Sequence, residues 1–248
     1  MWAPTQRSLP TWCELLEQGL DVSACEVRED MPTALTVCVA YDADRMMVTH
    51  EPINRNLEAL LERKPVLRKL RSARHVHLAC ALRRPKKWLS VLKMLKGEGI
   101  SVSADFGWNP DVPTEEIRSI LHQRDFAFPN EHEAQALTGI GSTSEALQKL
   151  GAWVRVPVIT MGSRGAMLLA DGELYQQPAL AQRLVDATGA GDAFNGGFLH
   201  AFLLGSTWDD CLRAGNICGG SVVSAPGGSK GIPSQADFHR HLQKMRCA

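Results

Sequence analysis

The sequence has no excess of charge of either sign, because 27 lysines and arginines balance 27 aspartates and glutamates. Without a net positive field, neither nucleic acid nor an anionic membrane surface is an expected partner. No apolar run approaches the roughly 20 residues that a membrane-spanning helix needs. Residues 1–12 also lack the basic and then apolar layout of a secretion signal. These absences favour a cytoplasmic globular protein.

Paired metal-ligand and disulfide spacings are also lacking. The seven cysteines are an odd number and contain no C-x-x-C pair, which argues against a disulfide framework and a structural zinc site. The eight histidines have no H-E-x-x-H spacing, and His75 and His77 are expected on one face of a strand. No Walker G-x-x-x-x-G-K-[ST] sequence occurs, and "GSRGAM" is not a Rossmann glycine motif.

The apolar pattern predicts strands that alternate with helices. Residues 33–49 alternate around an Asp-Ala-Asp turn, which predicts a β-hairpin with one open face. Further strands are predicted at 75–82, 100–106, 126–129 and twice within 156–170, and helices at 86–99, 114–123, 130–139, 142–151, 190–204, 207–224 and 234–244. The alternation indicates an α/β fold with a mostly parallel sheet flanked by helices. Ligands of such sheets lie at the carboxyl ends of the strands, which directs attention to the loops 129–133, 160–165 and 186–192.

Four small or acidic residues, Gly189-Ala190-Gly191-Asp192, precede an apolar helix. One interpretation is structural: a flexible helix start whose aspartate favours the helix dipole by roughly 0.3–1 kcal/mol. The other is chemical. Small residues leave the first helical N–H groups open to a phosphate oxygen, and an adjacent carboxylate can accept the proton of an attacking hydroxyl. The spacing suits phosphoryl transfer to an alcohol.

Four segments stand in an order and at separations that are typical of one family. They are "DATGAGDAFNGGF" (186–198), Asn130-Glu131-His132-Glu133, "ITMGSRGAM" (159–167) and "AGNICGGSVVSAPGGSKGIP" (214–233). Together they resemble the PfkB, or ribokinase-like, family of carbohydrate kinases. The resemblance implies a three-layer ribokinase-like α/β fold in a single domain over residues 1–248. The hairpin at 33–49 would form a partial β lid of that domain.

The resemblance also implies a role for each matching position. Asp192 would be the catalytic base, and the backbone of Gly189, Ala190 and Gly191 the anion hole. The implied ligands are ATP, Mg²⁺, a monovalent cation such as K⁺ as an option, and a small-molecule sugar as acceptor. The resemblance also implies nucleotide contacts at Thr160, Gly162 and Gly165, with the adenine near Asn216. Asn130 and Glu133 would organise magnesium and phosphate, Glu133 through water. Asp186 and Thr188 would hold the monovalent cation.

Taken singly, these residues have structural interpretations as well. Asn130 can cap the following helix, with Glu133 completing a capping box. The segment 160–165 can be a plain hairpin turn, and Asn216 an ordinary polar helix residue.

Departures from the family lie towards the front of the chain. Family members begin with a strand that ends in an acidic residue, followed by lid strands and a Gly-Gly-x-x-Asn segment that recognises the sugar. Here Gly-Gly pairs occur only at 196–197, 219–220 and 227–228, so we expect that first strand and that segment to be lacking. An exposed strand edge would leave a homodimer as an option.

Two positions that contact the substrate in relatives are also altered. "ADFGWNPDV" (104–112) lacks an arginine often found after its acidic residue, and Ala81-Leu82 stand where several sugar kinases have a polar contact. Three functions stay open: a sugar kinase, a nucleotide-binding relative with impaired catalysis, and a nucleoside kinase.

Overall fold

The computed structural model describes residues 15–26, 28, 30–32, 34–41, 44–50, 52, 57–79, 85–105 and 112–247. The strands are β1 (Leu35–Tyr41), β2 (Asp44–His50), β3 (His75–Ala79), β4 (Ser101–Asp105), β5 (Phe126–Ala127), β6 (Val156–Thr160), β7 (Ala166–Ala170) and β8 (Glu173–Gln177). The helices are α1 (Leu57–Leu60), α2 (Lys64–Ser72), α3 (Pro85–Gly97), α4 (Thr114–Leu121), α5 (Glu131–Thr138), α6 (Thr143–Gly151), α7 (Ala190–Leu203), α8 (Trp208–Val222) and α9 (Gln235–Cys247). Within these residues, every helix is too short or too polar to span a bilayer.

Contacts within the chain define two compact units. The first comprises residues 1–74 and 83–100, and the second comprises residues 75–82 and 101–248. The expected single domain over the whole chain therefore stays a prediction, and each unit is described by itself.

The first unit contains the predicted β-hairpin. β1 and β2 pair antiparallel, with Val37 opposite Val48 and Val39 opposite Met46. Because strand side chains alternate between faces, these four residues share one face with Leu35. That face is open to solvent, with each of the five side chains between 46% and 59% exposed. The same unit also contains α1 and α2, which the apolar pattern did not predict.

The second unit is built on a six-stranded sheet in the order β3-β4-β5-β6-β7-β8. The pairs from β3 to β6 are parallel, and β7 and β8 are added antiparallel. This confirms the mostly parallel sheet. β8 was not predicted because "ELYQQ" is largely polar, and of its side chains Tyr175 packs against the core.

A separate apolar core covers each face of this sheet. Phe126, Phe128 and Val158 pack with residues of α7 and α8. Ala127 and Ile159 point to the opposite face and pack with residues of α4, α5 and α6. The alternation of side chains along β5 and β6 thus produces three layers: helices, sheet and helices.

Glycines bring α7 and α8 into close contact. A Cβ atom on Gly197 would lie 2.5 Å from the carbonyl oxygen of Ala214, and one on Gly215 would lie 2.6 Å from the ring of Phe194. A Cβ atom on Gly219 would lie 2.9 Å from the carbonyl oxygen of Ala190, in the first turn of α7. Any larger residue at these three places would push the helices apart.

One face of β3 and β4 is polar. His75 Nδ1 and Nε2 form hydrogen bonds of 2.7 Å each with the hydroxyls of Ser101 and Ser103, and His77 Nδ1 lies 2.6 Å from the Ser103 hydroxyl. The two histidines share a strand face, as predicted. Burial lowers the pKa of His75 to about 4, and the nearby His77 ring adds to that effect. Both rings are therefore neutral at neutral pH, since burial also lowers the pKa of His77.

Adjacent glycines of α7 give a matched test of the helix packing. Gly197→Ala is expected to lower the free energy of unfolding by about 1–3 kcal/mol, because its methyl group meets backbone. Gly196→Ala is the control: its Cβ would meet nothing within 4 Å, and alanine favours a helix by about 0.5–1 kcal/mol over glycine. Urea unfolding of both variants measures the difference, and equal stabilities would contradict the packing described here.

The partly buried His75 predicts a loss of stability in acid. The unfolded chain binds a proton on this ring near pH 6.5 and the folded chain only near pH 4, so stability falls as the pH drops through that window. His75→Gln is expected to make the fall between pH 7 and pH 5 shallower, as measured by urea midpoints. His132→Gln, at an exposed position of α5, is the control and should leave the slope unchanged.

Candidate active site

The carboxyl ends of β5 and β6 bring two of the predicted segments together. The chain leaves β5 through Pro129 to Asn130, which caps α5, and β6 ends at Thr160. Asn130 and Thr160 form an isolated parallel bridge, and the Thr160 N–H donates to the Pro129 carbonyl at 3.2 Å. The Asn-x-x-Glu segment and the glycine turn are therefore neighbours at one edge of the sheet.

Asn130 and Glu133 form a capping box. The Glu133 N–H donates to Asn130 Oδ1 at 3.0 Å, and the Asn130 N–H donates to Glu133 Oε2 at 2.8 Å. The capping interpretation of these residues is thus present in the fold. It does not exclude ligand binding, because Asn130 is exposed. Their role towards magnesium and phosphate stays a prediction.

An ion pair that the sequence reasoning missed joins the same two segments. Arg164 Nη2 in the turn lies 2.5 Å from Glu131 Oε2, and the hydroxyl of Thr143 also donates to Glu131. These partners, Thr143 first and Arg164 second, lower the pKa of the Glu131 carboxyl. The pair could have been suspected, since both residues lie inside segments that the sequence had singled out.

The turn between β6 and β7 is a tight one that contains Gly162 and Gly165, both with positive φ, +57° and +89°. A Cβ atom on Gly165 would lie 2.1 Å from the carbonyl oxygen of Gln177, so the chain at the end of β8 passes directly over this glycine. Asn216 donates from Nδ2 to the same carbonyl at 3.1 Å and is 4% exposed. Asn216 thus ties α8 to β8 beside the turn, and its expected place near adenine stays a prediction.

The loop before α7 is fixed by Asp186. Its Oδ1 accepts the N–H of Thr188 and its Oδ2 accepts the N–H of Gly227, both at 2.9 Å. Gly189 has φ +74°, and a Cβ atom there would lie 2.5 Å from the Gly228 carbonyl oxygen. The phosphate-loop candidate is therefore held against the segment that follows α8. The monovalent cation expected at Asp186 and Thr188 stays a prediction.

The first turn of α7 carries open amides and an exposed carboxylate. Gly189 is the N-cap and offers no side-chain acceptor. Among the described residues, the N–H groups of Gly191 and Asp192 have no hydrogen-bond partner, whereas Ala190 donates to the Ala187 carbonyl at 3.3 Å. Asp192 is exposed. The helix dipole and these amides form a site suited to an anion, with a carboxylate on its rim.

A second carboxylate lies near Asp192. Asp105 ends β4 and accepts a hydrogen bond of 2.7 Å from Asn195 Nδ2. The negative charges of Asp105 and Asp192 both act to raise the pKa of His77, opposing the larger effect of burial. Asp105 and Asp192 are therefore both close enough to His77 to act on its charge. Sequence reasoning gave Asp105 and Asn195 no role, although Asp105 is the last residue of a buried strand.

The donor set of this site suits magnesium bound largely through water. Within the described ranges, no group of three or more histidine, cysteine, aspartate or glutamate side chains could enclose a metal ion. Magnesium dehydrates reluctantly and is commonly held by one or two carboxylates and the phosphates of a nucleotide. Glu133 is a carboxylate of that kind, at the N-terminus of α5.

Residues 14–235 of the chain match the PfkB family of carbohydrate kinases. The chain belongs to this family. It is accordingly an ATP-dependent phosphotransferase of the carbohydrate and nucleoside kinases. A cytidine kinase from Thermococcus kodakarensis is 30% identical over 214 residues, which are 82% of this chain and 73% of that protein.

Solved structures agree with the family and confirm the ribokinase-like fold. A nucleoside kinase of Burkholderia thailandensis in complex with inosine superposes with a TM-score of 0.80 at 19% identity, covering 96% of this chain and 78% of the other. The Arabidopsis thaliana ribokinase complexed with ribose and ATP gives a TM-score of 0.74 at 26% identity, covering 93% and 78%.

The two glycines of the turn in this PfkB-family chain differ in a way that can be tested. Gly165→Ala is expected to destabilise the fold strongly, because its methyl group would collide with the backbone of β8. Gly162→Ala is the control: nothing lies within 4 Å, so only the roughly 1–2 kcal/mol of a left-handed conformation is lost. Thermal unfolding distinguishes them, and similar midpoints would refute the close passage of β8.

Proposed function

We propose that the protein transfers the γ-phosphoryl group of ATP to a hydroxyl of a sugar or sugar-like metabolite. The acceptor favoured here is ribose, either free or as part of a nucleoside. This choice is supported by the named relatives, since ribose is common to the ribokinase and to the cytidine and nucleoside kinases. Of the two forms of ribose, the nucleoside is favoured by the 30% identity to the cytidine kinase.

The observation that carries the proposal is the exposed carboxylate of Asp192 beside the open amides of α7. The carboxylate accepts the proton of the attacking hydroxyl as the new O–P bond forms and the bond between the γ-phosphorus and the oxygen of the leaving ADP breaks. The amides of Gly189 and Gly191, with that of Asp192, face the charge that develops on the transferred group. The N–H of Ala190, which also donates to Ala187, contributes less.

The nucleotide side of the proposal rests on the sheet edge at β5 and β6. Thr160, Gly162 and Gly165 are proposed to contact ATP, and Asn216 to lie close to its adenine. Magnesium, when bound, neutralises charge on the phosphates, with Asn130 and Glu133 as the residues that orient it, Glu133 through water. Asp186 and Thr188 are proposed to hold a monovalent cation beside the loop.

We also propose a homodimer and a cytoplasmic location. The open apolar face of β1 and β2 supports the first, because such a face is stabilised when a second copy covers it. The second is supported by the cysteines, of which Cys25, Cys211 and Cys218 are free thiols.

Asp192→Asn tests the mechanism. The amide keeps the shape of the side chain but cannot accept the proton, so kcat for ADP release is expected to fall by about 10²–10⁴-fold. The assay uses ATP and magnesium with ribose, cytidine, inosine or adenosine as acceptor. ATP affinity, measured by calorimetry, should stay the same.

Asp237→Asn is the control, since Asp237 also lies in the first turn of a helix, α9. It should leave turnover intact. Full turnover in Asp192→Asn would refute Asp192 as the base. ATP binding by the unaltered protein without ADP release for any acceptor would instead support a nucleotide-binding relative with impaired catalysis.

A further inference from the structure

Asn195 is a polar residue on an apolar helix face. Asn195 is 2% exposed. One and two turns further along α7 lie Phe198 and Phe202. Their rings pack edge-on against the ring of Phe126, with 5.7 and 4.7 Å between the ring centroids. A leucine at this position would pack against the same apolar neighbours and would need no hydrogen-bond partner. An amide buried there loses its hydration and must recover it through hydrogen bonds.

The hydrogen bond to Asp105 fixes the orientation of the Asn195 amide. Nδ2 donates to Asp105 Oδ2 at 2.7 Å. The reverse orientation would oppose two oxygens, because a carboxylate only accepts. In the orientation observed, Oδ1 of Asn195 is buried and has no hydrogen-bond partner among the described residues. An unpaired buried acceptor lowers the stability of the fold. Packing alone therefore does not explain why an asparagine stands at this position.

The position of this hydrogen bond connects it to the reacting groups. Asn195 follows Asp192 by three residues, so the two side chains lie on the same side of α7, one turn apart. Asp105 stands at the carboxyl end of β4, 90 positions earlier in the chain. The bond thus joins the first turns of α7 to the end of the sheet at which Asp192 lies.

We propose that Asn195 is a positioning residue for phosphoryl transfer: held by Asp105, it sets the rotation of α7 about its axis and with it the direction of the Asp192 carboxylate. The proposal rests on the proposed function, since it assumes that Asp192 is the base. Asn195 does not touch the substrate and acts through Asp192.

A directional contact is needed here because the start of the helix offers no large side chain that could set its rotation. Gly189, Ala190 and Gly191 carry no side chain beyond a methyl group that could pack and hold the turn. On the side facing α8, the contact of Gly219 with Ala190 sets a distance but not a rotation. A directional hydrogen bond on the opposite side supplies the missing constraint.

Asn195→Leu removes the bond and keeps the number and branching of the side-chain heavy atoms. We expect kcat to fall about a hundredfold, the effect of a misplaced catalytic group. ATP affinity by calorimetry should not change, because the nucleotide turn lies on β6 and β7. Asp105→Asn keeps an acceptor oxygen at the same place and should retain more activity than Asn195→Leu.

Asn195→Asp provides the readout that a structural role would not give. Two carboxylates then face each other, and they share a proton only as the pH falls. The ratio of variant to unaltered kcat is expected to rise from pH 8 to pH 5.5, since one protonated carboxyl can donate as the amide did. Among the described residues, the charged and titratable groups that act on the nearby histidine rings are Asp105, Asp125, Asp192, Arg124 and the rings themselves, and they are the same in both proteins.

The outcomes separate this inference from the proposed function. An unchanged kcat in Asn195→Leu, or a ratio for Asn195→Asp that does not rise in acid, overturns the positioning role even if Asp192→Asn is inactive. Full activity of Asp192→Asn overturns the function itself. If Asn195→Leu does not fold, the pH dependence of Asn195→Asp and the activity of Asp105→Asn still decide.

Discussion

The close approach of α7 to α8 is the constraint on which the candidate site depends. Gly197, Gly215 and Gly219 leave no room for a side chain between the helices, and the last of them meets the carbonyl of Ala190 in the first turn of α7. Gly189 makes the same kind of backbone contact with Gly228. The amides at the start of α7 are thus held by neighbouring backbone, which is more rigid than support from flexible side chains. A preorganised anion site of this kind needs no rearrangement when charge develops.

A polar cluster formed by His75, His77 and Ser103 lies on the sheet side of α7. His75, His77 and Ser103 form a hydrogen-bonded chain in which burial keeps both rings neutral. Because the serine hydroxyl has one proton, it donates to one ring and accepts from the other. Carboxylates that lie near neutral dipoles of this sort interact more strongly than they would in water. This polar cluster therefore extends from β3, at the edge of the sheet, towards Asp192 and adds no charge of its own.

Much of the site was predictable because it is encoded by local backbone requirements. Gly162, Gly165 and Gly189 lie in turns where the backbone has positive φ, and Asn130 begins a helix as its sequence predicted. Contacts that depend on side-chain hydrogen bonds or on pairing between strands were harder to predict. At Ser142, which precedes α6, one half of a capping box is present, with the Glu145 N–H donating to Ser142 Oγ at 3.4 Å. The polar strand β8 escaped prediction because it joins the sheet through backbone pairing with β7 rather than through an apolar pattern.

The α/β layering and the importance of residues 189–192 were readable from the sequence, since glycine spacing and apolar alternation act over a few residues, and the resemblance of four segments indicated the family. Which distant side chains meet was evident only from the folded chain. Asn195 finds Asp105, and Arg164 finds Glu131, because separate strands end at the same edge of the sheet. No local pattern records such a pairing, for it depends on strand order and helix packing that involve the whole second unit.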